Sequence, residues 1–264
     1  MDLQLTGKRA LVTGSTAGIG LAIGATLASE GATVIINGRS ESRVTGAVVK
    51  IRQRYPQAKL ETLAGDLSKA EVVKQATSRF PHVDILINNL GIYELKTFED
   101  ISDKDWMAII ETNFMSGVRL SRHYLPKMRA KSWGRIVFIS SESAINIPVE
   151  MIHYGVTKTM QLALARGLAE TTAGTSVTVN SILAGPTWSE GVEGFVSQMA
   201  KSRGVEPAVV EKEFFETVRP SSLLKRFATT DEVAALVAFV ASPLSSATNG
   251  AALRVDGGVV RSII

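Results

Sequence analysis

The residues with the clearest chemical potential are Tyr154 and Lys158, which lie four positions apart in the stretch Tyr-Gly-Val-Thr-Lys. In a helix, side chains at positions i and i+4 share one face and meet. A lysine ammonium beside a phenol favours the phenolate, so the sequence predicts a pKa for Tyr154 below its usual value of about 10. Such a tyrosine could exchange a proton near neutral pH. The alternative is a solvated pair that stabilises its helix slightly.

Two other polar residues occupy positions that favour a functional role. Ser141, after Ser140, follows a Val-Phe-Ile run and is expected at the end of a strand. Asn113 lies near the middle of a helix predicted over residues 102–128. Asparagine is unfavourable inside a helix, because its side chain competes for backbone hydrogen bonds, unless it has another task there.

A glycine-rich turn near the start of the chain is suited to a phosphate-bearing cofactor. A short apolar run over residues 8–13 ends in Gly14-Ser15-Thr16-Ala17-Gly18-Ile19-Gly20, and helix-forming residues and a β-branched run follow. This order predicts a strand–turn–helix–strand unit, in which glycines let backbone N–H groups approach a pyrophosphate at the helix N-terminus. The spacing differs from the G-x-G-x-x-G pattern, and a plain glycine-rich loop is the alternative.

The end of the second predicted strand indicates which cofactor is used. It reads Asn37-Gly38-Arg39-Ser40, with no acidic residue between Val34 and Ser40. A carboxylate here would bind the adenosine ribose hydroxyls, whereas an arginine attracts a 2′-phosphate. Arg39 and Ser40 therefore predict NADP(H) rather than NAD(H), and the alternative for Arg39 is a solvated loop charge.

Predicted strands and helices alternate along the chain, with no linker, composition shift or internal repeat. This alternation predicts one α/β domain with a parallel sheet covered by helices on both faces. Ligands bind such sheets at the carboxyl ends of the strands. The residues expected at those ends are Gly14–Gly20, Arg39, Asp66, Asn89, Ser141 and Gly185–Thr187.

The composition excludes several classes of function. The chain has 264 residues, 45% hydrophobic and 20% charged, with a net charge of +4 and no Lys/Arg-rich block, so nucleic-acid binding is not expected. It has no cysteine, and its histidines (His82, His123 and His153) lack metal-ligand spacing, so no metal site is expected. The start lacks a signal-peptide pattern, and the charge-free runs 10–29 and 233–253 are broken by glycine, proline or polar residues. We expect a cytoplasmic protein without a membrane segment.

These motifs resemble the short-chain dehydrogenase/reductase family over essentially the whole chain. The matching residues are Thr13-Gly14-x-x-x-Gly18-x-Gly20, Asp66-Leu67, Asn88-Asn89-Leu90-Gly91, Asn113, Ser141, Tyr154-x-x-x-Lys158, Ala184-Gly185-Pro186-Thr187 and Val255-Asp256-Gly257-Gly258. The resemblance implies one NAD(P)-binding, Rossmann-type domain over residues 1–264, with a doubly wound parallel sheet of about seven strands. It also implies hydride transfer between nicotinamide and a ketone or secondary alcohol.

The resemblance implies a role for each matching residue. Ser141 would hydrogen-bond the substrate oxygen, and Tyr154 would exchange its proton. Lys158 would lower the pKa of Tyr154 and hold the nicotinamide ribose, while Asn113 would anchor a water that relays protons toward Lys158. The expected cofactor-binding residues are Gly14, Ser15, Thr16, Gly18, Ile19, Gly20, Arg39, Ser40, Asp66, Leu67, Asn89, Gly91, Tyr154, Lys158, Gly185, Pro186 and Thr187.

The chain departs from the family pattern at two positions near the expected cofactor. Leu90 replaces a common alanine, and Ala184 replaces a common proline, which is expected to loosen the loop over the nicotinamide. Residues 188–222 are expected to form a substrate lid. The large apolar residues of this lid could line a pocket, but most of them are expected to fill the cores between helices. They are Trp188, Phe195, Met199, Phe214 and Phe215.

Three alternatives to a small-molecule reductase stay open at this stage. Reduction of 3-oxoacyl groups on acyl carrier protein is one, although Lys131 is the only basic residue in the two expected docking neighbourhoods. A non-catalytic NADP-binding sensor would not need the full set of polar residues. Sugar-nucleotide epimerases and dehydratases of the extended relatives carry a substantial C-terminal region. The resemblance further suggests a homotetramer or homodimer.

Overall fold

Seven parallel strands form the central sheet of the computed structural model, which describes residues 1–263. Their order is β3-β2-β1-β4-β5-β6-β9, so the chain reverses direction across the sheet between β1 and β4. The strands are β1 (Arg9–Val12), β2 (Thr33–Gly38), β3 (Lys59–Ala64), β4 (Ile85–Asn88), β5 (Trp133–Ser141), β6 (Ser176–Ala184) and β9 (Ala252–Val255). The predicted doubly wound α/β sheet is confirmed, and its point of reversal is where such folds bind ligands.

Helices cover both faces of the sheet. They are α1 (Gly18–Ser29), α2 (Glu41–Arg54), α3 (Ala70–Arg79), α4 (Asp103–Ile110), α5 (Ser116–Ala130), α6 (Ile152–Glu170), α7 (Glu190–Arg203), α8 (Pro207–Glu213) and α9 (Thr230–Val240). Successive strand residues alternate between two cores: Ala10 and Val12 pack with α1, α2 and α9, whereas Leu11 packs with α3, α5 and α6. Both faces of the inner strands β1, β2, β4, β5 and β6 are buried, which is why these strands are rich in apolar residues.

The helix predicted over residues 102–128 is not continuous. A π-helical turn, Glu111–Met115, separates α4 from α5 and contains Asn113. The Asn113 side chain turns away from its own helix and bonds to the chain after β4. The wider turn explains why a poor helix former is tolerated here, and such turns are frequent at functional sites.

Residues 188–222 cover the carboxyl ends of the strands, and we call them the cover segment. A two-stranded sheet, β7 (Thr187–Trp188) with β8 (Ala228–Thr229), closes its base. The segment contains α7, α8 and a π-helical turn, Phe214–Val218. Ser189 caps the start of α7, and Gly204 ends it in the left-handed conformation with φ of 65°. No helix within residues 1–263 is long and apolar enough to cross a membrane.

Candidate active site

A cavity of about 920 Å³ lies between the carboxyl ends of the strands and the cover segment. We call it the cleft. The residues predicted from sequence that line it are Ile19, Asn89, Gly91, Ser141, Tyr154, Lys158, Gly185, Pro186 and Thr187. The other predicted residues do not line the cleft and lie at neighbouring strand and helix ends: Gly14, Ser15, Thr16, Gly18, Gly20, Arg39, Ser40, Asp66, Leu67 and Asn113.

The two serines at the end of β5 have different contacts. Ser140 donates a hydrogen bond from Oγ to the carbonyl oxygen of Lys158 at 3.0 Å and so fastens β5 to α6. Ser141 Oγ accepts a hydrogen bond from the backbone N–H of Ser143 at 3.1 Å, and its hydroxyl interacts with the Tyr154 phenol in the cleft. This difference favours Ser141 as the serine that contacts a ligand.

Tyr154 and Lys158 share one face of α6, with Lys158 Nζ 5.5 Å from the centroid of the Tyr154 ring. The ammonium donates a hydrogen bond to the carbonyl oxygen of Ile139 at 2.8 Å. Burial raises the pKa of Tyr154 to about 12, although the Ser141 hydroxyl lowers it, and burial lowers the pKa of Lys158 to about 8. The predicted decrease in the pKa of Tyr154 is wrong for this structure, because burial disfavours the phenolate and Nζ points to a backbone oxygen.

Asn113 is buried and joins three parts of the site. Its Oδ1 accepts from the Ile92 N–H at 2.8 Å, and its Nδ2 donates to the Ile92 carbonyl at 2.9 Å and to Thr157 Oγ1 at 3.1 Å. A Cβ atom built on Gly91 would lie 3.6 Å from both Asn113 Oδ1 and Lys158 Nζ. The two polar groups therefore face the same small space beside Gly91.

The glycine-rich turn suits the pyrophosphate of a dinucleotide. Gly14 and Gly18 adopt φ of 61° and 54°, which other residues rarely adopt. Helix α1 starts after Ala17 with no side-chain cap and no acidic residue in its first turn, so its N–H groups and positive dipole end are available to an anion. A Cβ on Gly20 would overlap the Gly14 carbonyl oxygen, so this close packing of turn and helix also requires glycine.

Two asparagines hold the glycine-rich turn, and one of them was not predicted. Asn89 Nδ2 donates to the carbonyl oxygens of Thr13 and Gly14 at 2.9 and 3.1 Å. Asn37 is 1% exposed, accepts from the Gly14 N–H at 3.0 Å, and donates to two carbonyl oxygens at the end of β3. A polar residue ending an otherwise apolar strand was the only sequence signal for Asn37.

The end of β2 presents Arg39 to solvent. Its side chain is exposed and makes no hydrogen bond or ion pair with any described residue. Ser40 Oγ caps α2 by accepting from the Arg43 N–H at 3.4 Å. A Cβ on Gly38 would overlap Cγ2 of Thr16, so an acidic side chain does not fit at this position at the end of β2.

The side chains of three predicted cofactor-binding residues already contact other groups of the protein. Ser15 Oγ donates to the Val12 carbonyl and accepts from the Asn37 N–H. Leu67 is fully buried in the core that packs α3 and α5. Asp66 Oδ1 accepts from the Ser68 N–H at 3.0 Å. Ser15 and Leu67 thus leave mainly backbone groups for a ligand.

The two departures from the family pattern have simple structural explanations. Leu90 packs against Gly14, since a Cβ built there would lie 3.4 Å from Leu90 Cδ1. Ala184 continues β6 to its last residue and pairs with Ser141 on one side and Val255 on the other. The backbone before Gly185 is therefore held on both sides, which does not support the expected loosening.

The apolar residues predicted for the lid divide into two groups. Phe195, Met199 and Phe214 line the cleft, whereas Phe215 is 2% exposed and fills the core of the cover segment. Trp188 packs against Phe227 with ring centroids 5.5 Å apart and does not line the cleft.

An ion pair on the cleft wall was not predicted at all. Glu142 follows Ser141 and is 3% exposed, and its Oε1 accepts from Arg219 Nε at 2.9 Å. Burial raises the pKa of Glu142, while Arg219 lowers it. The two residues are 77 positions apart, and no local pattern connects them.

The fold and the cleft define the class of this protein: the chain belongs to the short-chain dehydrogenase family. The family model described as short chain dehydrogenase matches residues 8–200. The protein is therefore an oxidoreductase that acts on CH–OH groups with a nicotinamide nucleotide. The resemblance inferred from the motifs is confirmed.

Several known proteins are similar over the whole chain. The uncharacterized oxidoreductase YvaG of Bacillus subtilis is 48% identical over 263 residues, with 100% of both chains covered. The D-beta-hydroxybutyrate dehydrogenase of Cupriavidus necator is 34% identical over 261 residues, covering 97% of this chain and 99% of the relative. The structure of L-sorbose reductase from Gluconobacter frateurii, complexed with NADPH and L-sorbose, matches with a TM-score of 0.92, 28% identity and 100% of both chains covered.

Proposed function

We propose that this protein is an NADP(H)-dependent oxidoreductase of a ketone and its secondary alcohol, with Tyr154 as the general acid/base. The observation that carries this proposal is the convergence of Ser141, Tyr154 and Lys158 on one cleft, beside an uncapped helix N-terminus suited to a pyrophosphate. A non-catalytic sensor would not need this set of groups around a cavity.

The roles of the residues follow from their contacts. A bound nicotinamide supplies or accepts the hydride. Ser141 orients the substrate oxygen through its hydroxyl, and Tyr154 donates a proton to that oxygen during reduction. The raised pKa of Tyr154 keeps the phenol protonated until the oxygen gains negative charge, and the lowered pKa of Lys158 lets that amine return a proton. Asn113 would anchor a water that relays this proton through Oδ1, because both of its Nδ2 hydrogens are bonded to protein acceptors.

The cofactor is bound along the strand ends. The glycine-rich turn and the α1 N-terminus would hold the pyrophosphate, Asp66 and Asn89 would bind the adenosine and ribose part, and Gly185–Thr187 would hold the nicotinamide. Arg39, exposed and unpaired among the described residues, binds the 2′-phosphate and gives NADP(H) its advantage. The NADPH bound to the L-sorbose reductase supports this choice.

The cover segment acts as the substrate lid, and the protein assembles as a homotetramer or homodimer in the cytoplasm. Support for the lid comes from its position over the cleft and from its separate small core, which includes Val196, Val210 and Phe215. The assembly and the location rest on the family resemblance.

Tyr154→Phe tests the proposed chemistry. NADPH oxidation followed with a panel of ketones is expected to fall by about 10²- to 10⁴-fold, because the variant keeps the ring and loses only the hydroxyl group that donates the proton. Tyr55→Phe is a matched control at the end of α2, outside the cleft, and should retain full activity. Tight NADPH binding without turnover of any ketone or alcohol by the wild type would favour a sensor instead.

A further inference from the structure

One face of α7 forms an apolar stripe along the cleft. Its members Val192, Phe195, Val196 and Met199 all line the cavity, and spacings of three and four residues place them on one side of the helix. At a rise of 1.5 Å per residue, the stripe is about 10 Å long. Arg203, four positions further along the same face, also lines the cavity and marks the far end of the stripe.

The stripe begins beside the groups proposed to react. Tyr93, in the chain after β4, packs edge-on against the ring of Tyr154, with ring centroids 6.1 Å apart. Its hydroxyl oxygen lies 3.9 Å from the position of a Cβ built on Gly191, in the first turn of α7. Tyr93 therefore connects the reacting end of the cleft to the start of the stripe, and an arm of the substrate can extend past it along α7.

The polar side chains around the stripe are already bonded to the protein. Ser189 Oγ caps α7, and Thr217 Oγ1 donates to the Glu213 carbonyl oxygen at 2.8 Å. Arg203 donates from Nη1 and Nη2 to the two carboxylate oxygens of Glu213, at 2.6 and 3.0 Å. These groups satisfy one another, so they do not require a polar ligand.

The cover wall also offers no cation to an anionic ligand. Arg219, the other charged cleft residue of the cover segment, lies between two carboxylates: Nε is 2.9 Å from Glu142 and Nη1 is 3.8 Å from Glu150. It is therefore fully compensated by acidic groups, as Arg203 is by Glu213. A carboxylate brought into this part of the cleft would lose its water without gaining a partner, which is costly.

Large apolar side chains of the cleft are nevertheless exposed. Tyr93 is 60% and Phe195 47% exposed, and Leu95 and Val218 are exposed as well, although all four line the cavity. Exposed apolar groups that cluster in a cavity favour an apolar ligand, because binding removes their surface from water. The cleft thus combines polar groups at its reacting end with an apolar wall along α7.

We propose that the substrate is an uncharged ketone, or the corresponding secondary alcohol, with an extended apolar arm that lies along the α7 stripe. This inference rests on the proposed function and assigns its substrate class. Tyr93 and Phe195 are specificity determinants that contact the arm.

The first test follows NADPH oxidation by the full-length protein with 2-ketones of increasing length, from 2-butanone to 2-octanone. Burying each further methylene group is worth about a fourfold gain, so 2-octanone should exceed 2-butanone in kcat/KM by about 100-fold or more. 7-Oxooctanoate has the length of 2-octanone but ends in a carboxylate. It should be poorer than 2-octanone by about 100-fold or more, because the cover wall has no cation to pair with it.

Two variants of Phe195 locate the arm on α7. Phe195→Ala removes apolar surface and should lower the ratio of 2-octanone to 2-butanone about fivefold or more, with kcat/KM for 2-butanone unchanged. Phe98→Ala makes the same change at an exposed phenylalanine outside the cleft and should leave this ratio unaltered. Phe195→Arg supplies the missing cation and should raise 7-oxooctanoate relative to 2-octanone about fivefold or more. The wild-type series decides the inference even where a variant fails to fold.

The outcomes distinguish this inference from the proposed function. A kcat/KM that does not rise with chain length, or better use of 7-oxooctanoate or a 2-ketohexose than of 2-octanone, overturns the inference while the proposed function survives. No turnover of any ketone removes the proposed function. In that case calorimetric titration of 2-octanone and 2-butanone into the protein saturated with NADPH still decides the inference, which fails unless 2-octanone binds about tenfold more tightly or better.

Discussion

The two walls of the cleft are built in different ways. The sheet wall is fixed by buried polar contacts to backbone groups, such as Lys158 Nζ to the Ile139 carbonyl and Asn37 to the Gly14 N–H. The cover segment relies on a small apolar core around Phe215, on one buried ion pair, Arg219 with Glu142, and on ion pairs exposed to solvent, such as Lys50 with Glu190. The sheet wall therefore depends on several buried polar contacts, whereas the cover segment depends on one, between Arg219 and Glu142.

This difference separates the part of the cleft proposed to carry the reaction from the part proposed to recognise the substrate. Displacing a group on the sheet wall would leave several buried donors or acceptors unpaired, so its geometry is held closely. Apart from the buried pair of Arg219 with Glu142, the cover segment can shift at lower cost, because its other ion pairs are exposed and contribute little and its core contacts are largely internal to it. Such a structure suits a family in which one reaction is applied to many substrates, since new substrates need changes mainly on the cover wall.

Lys158→Met should have the largest effect, because it removes a group of the sheet wall that is proposed to exchange protons. We expect kcat/KM for ketone reduction to fall by about 10²- to 10⁴-fold. NADPH oxidation measures the loss, and NADPH binding measured by fluorescence shows whether the cofactor site persists. A loss below about threefold would mean that Lys158 is only a structural contact of the Ile139 carbonyl.

Comparison with Lys158→Met also predicts how the free energy of unfolding of the wild type depends on pH. Burial lowers the pKa of Lys158 from 10.5 to about 8, so between these values the unfolded chain binds more protons than the folded one. The free energy of unfolding of the wild type, relative to Lys158→Met, should thus rise between about pH 8 and 10.5, by up to about 3 kcal/mol. Urea unfolding of both proteins across this range measures the difference. A flat difference would contradict a buried, destabilised ammonium.

Asn37→Ala should weaken the sheet wall without touching the groups proposed to react. The change leaves the Gly14 N–H without its acceptor and the carbonyl oxygens of Leu63 and Gly65 without their donor. At about 1–3 kcal/mol for each buried group left unpaired, we expect a loss of roughly 3 kcal/mol in unfolding free energy and weaker NADPH binding. Asn146→Ala, at an exposed residue with one hydrogen bond of 3.4 Å, is the control and should cost less than about 1 kcal/mol.

Much of this wall could be predicted from sequence, because its signals are local. Apolar runs that end in Gly14, Asn89 and Ser141 define strand ends, and parallel strands bring their carboxyl ends to one edge. The spacing of Tyr154 and Lys158 defines a helix face. Each of these inferences needs only a few neighbouring residues.

The remaining features depend on tertiary structure. The partners of Asn37 lie on β3, which the β2 sequence does not reveal. The raised pKa of Tyr154 results from burial beneath other elements, so pairing with Lys158 alone gave the wrong direction. Glu142 and Arg219 meet because the cover segment returns to the end of β5. Helical spacing could not decide whether Phe214 or Phe215 faces the cleft.

Arg39→Ala should have a moderate effect confined to the cofactor. A charge-assisted hydrogen bond is worth about 1.5–3 kcal/mol, so the preference for NADPH over NADH in kcat/KM should fall by about 10- to 100-fold, with kcat at saturating NADPH unchanged. Arg52→Ala removes an exposed arginine in the last turn of α2 and should leave the preference unaltered. Equal use of NADPH and NADH by both the wild type and Arg39→Ala would exclude a role for Arg39.

Glu190→Gln should have the smallest effect, because it alters the cover wall at a pair whose side chains are 56% and 62% exposed. Exposed ion pairs contribute about 0.2–1 kcal/mol, so the substrate KM should rise by less than about threefold while kcat stays the same. The difference from wild type should vanish near about 1 M salt, where charges are screened within about 3 Å. Measuring KM and the midpoint of thermal unfolding at low and at high salt checks the small effect and its loss at high salt. A loss comparable to that of Lys158→Met would mean that the cover segment is held as closely as the sheet wall, and the distinction between the two walls would fail.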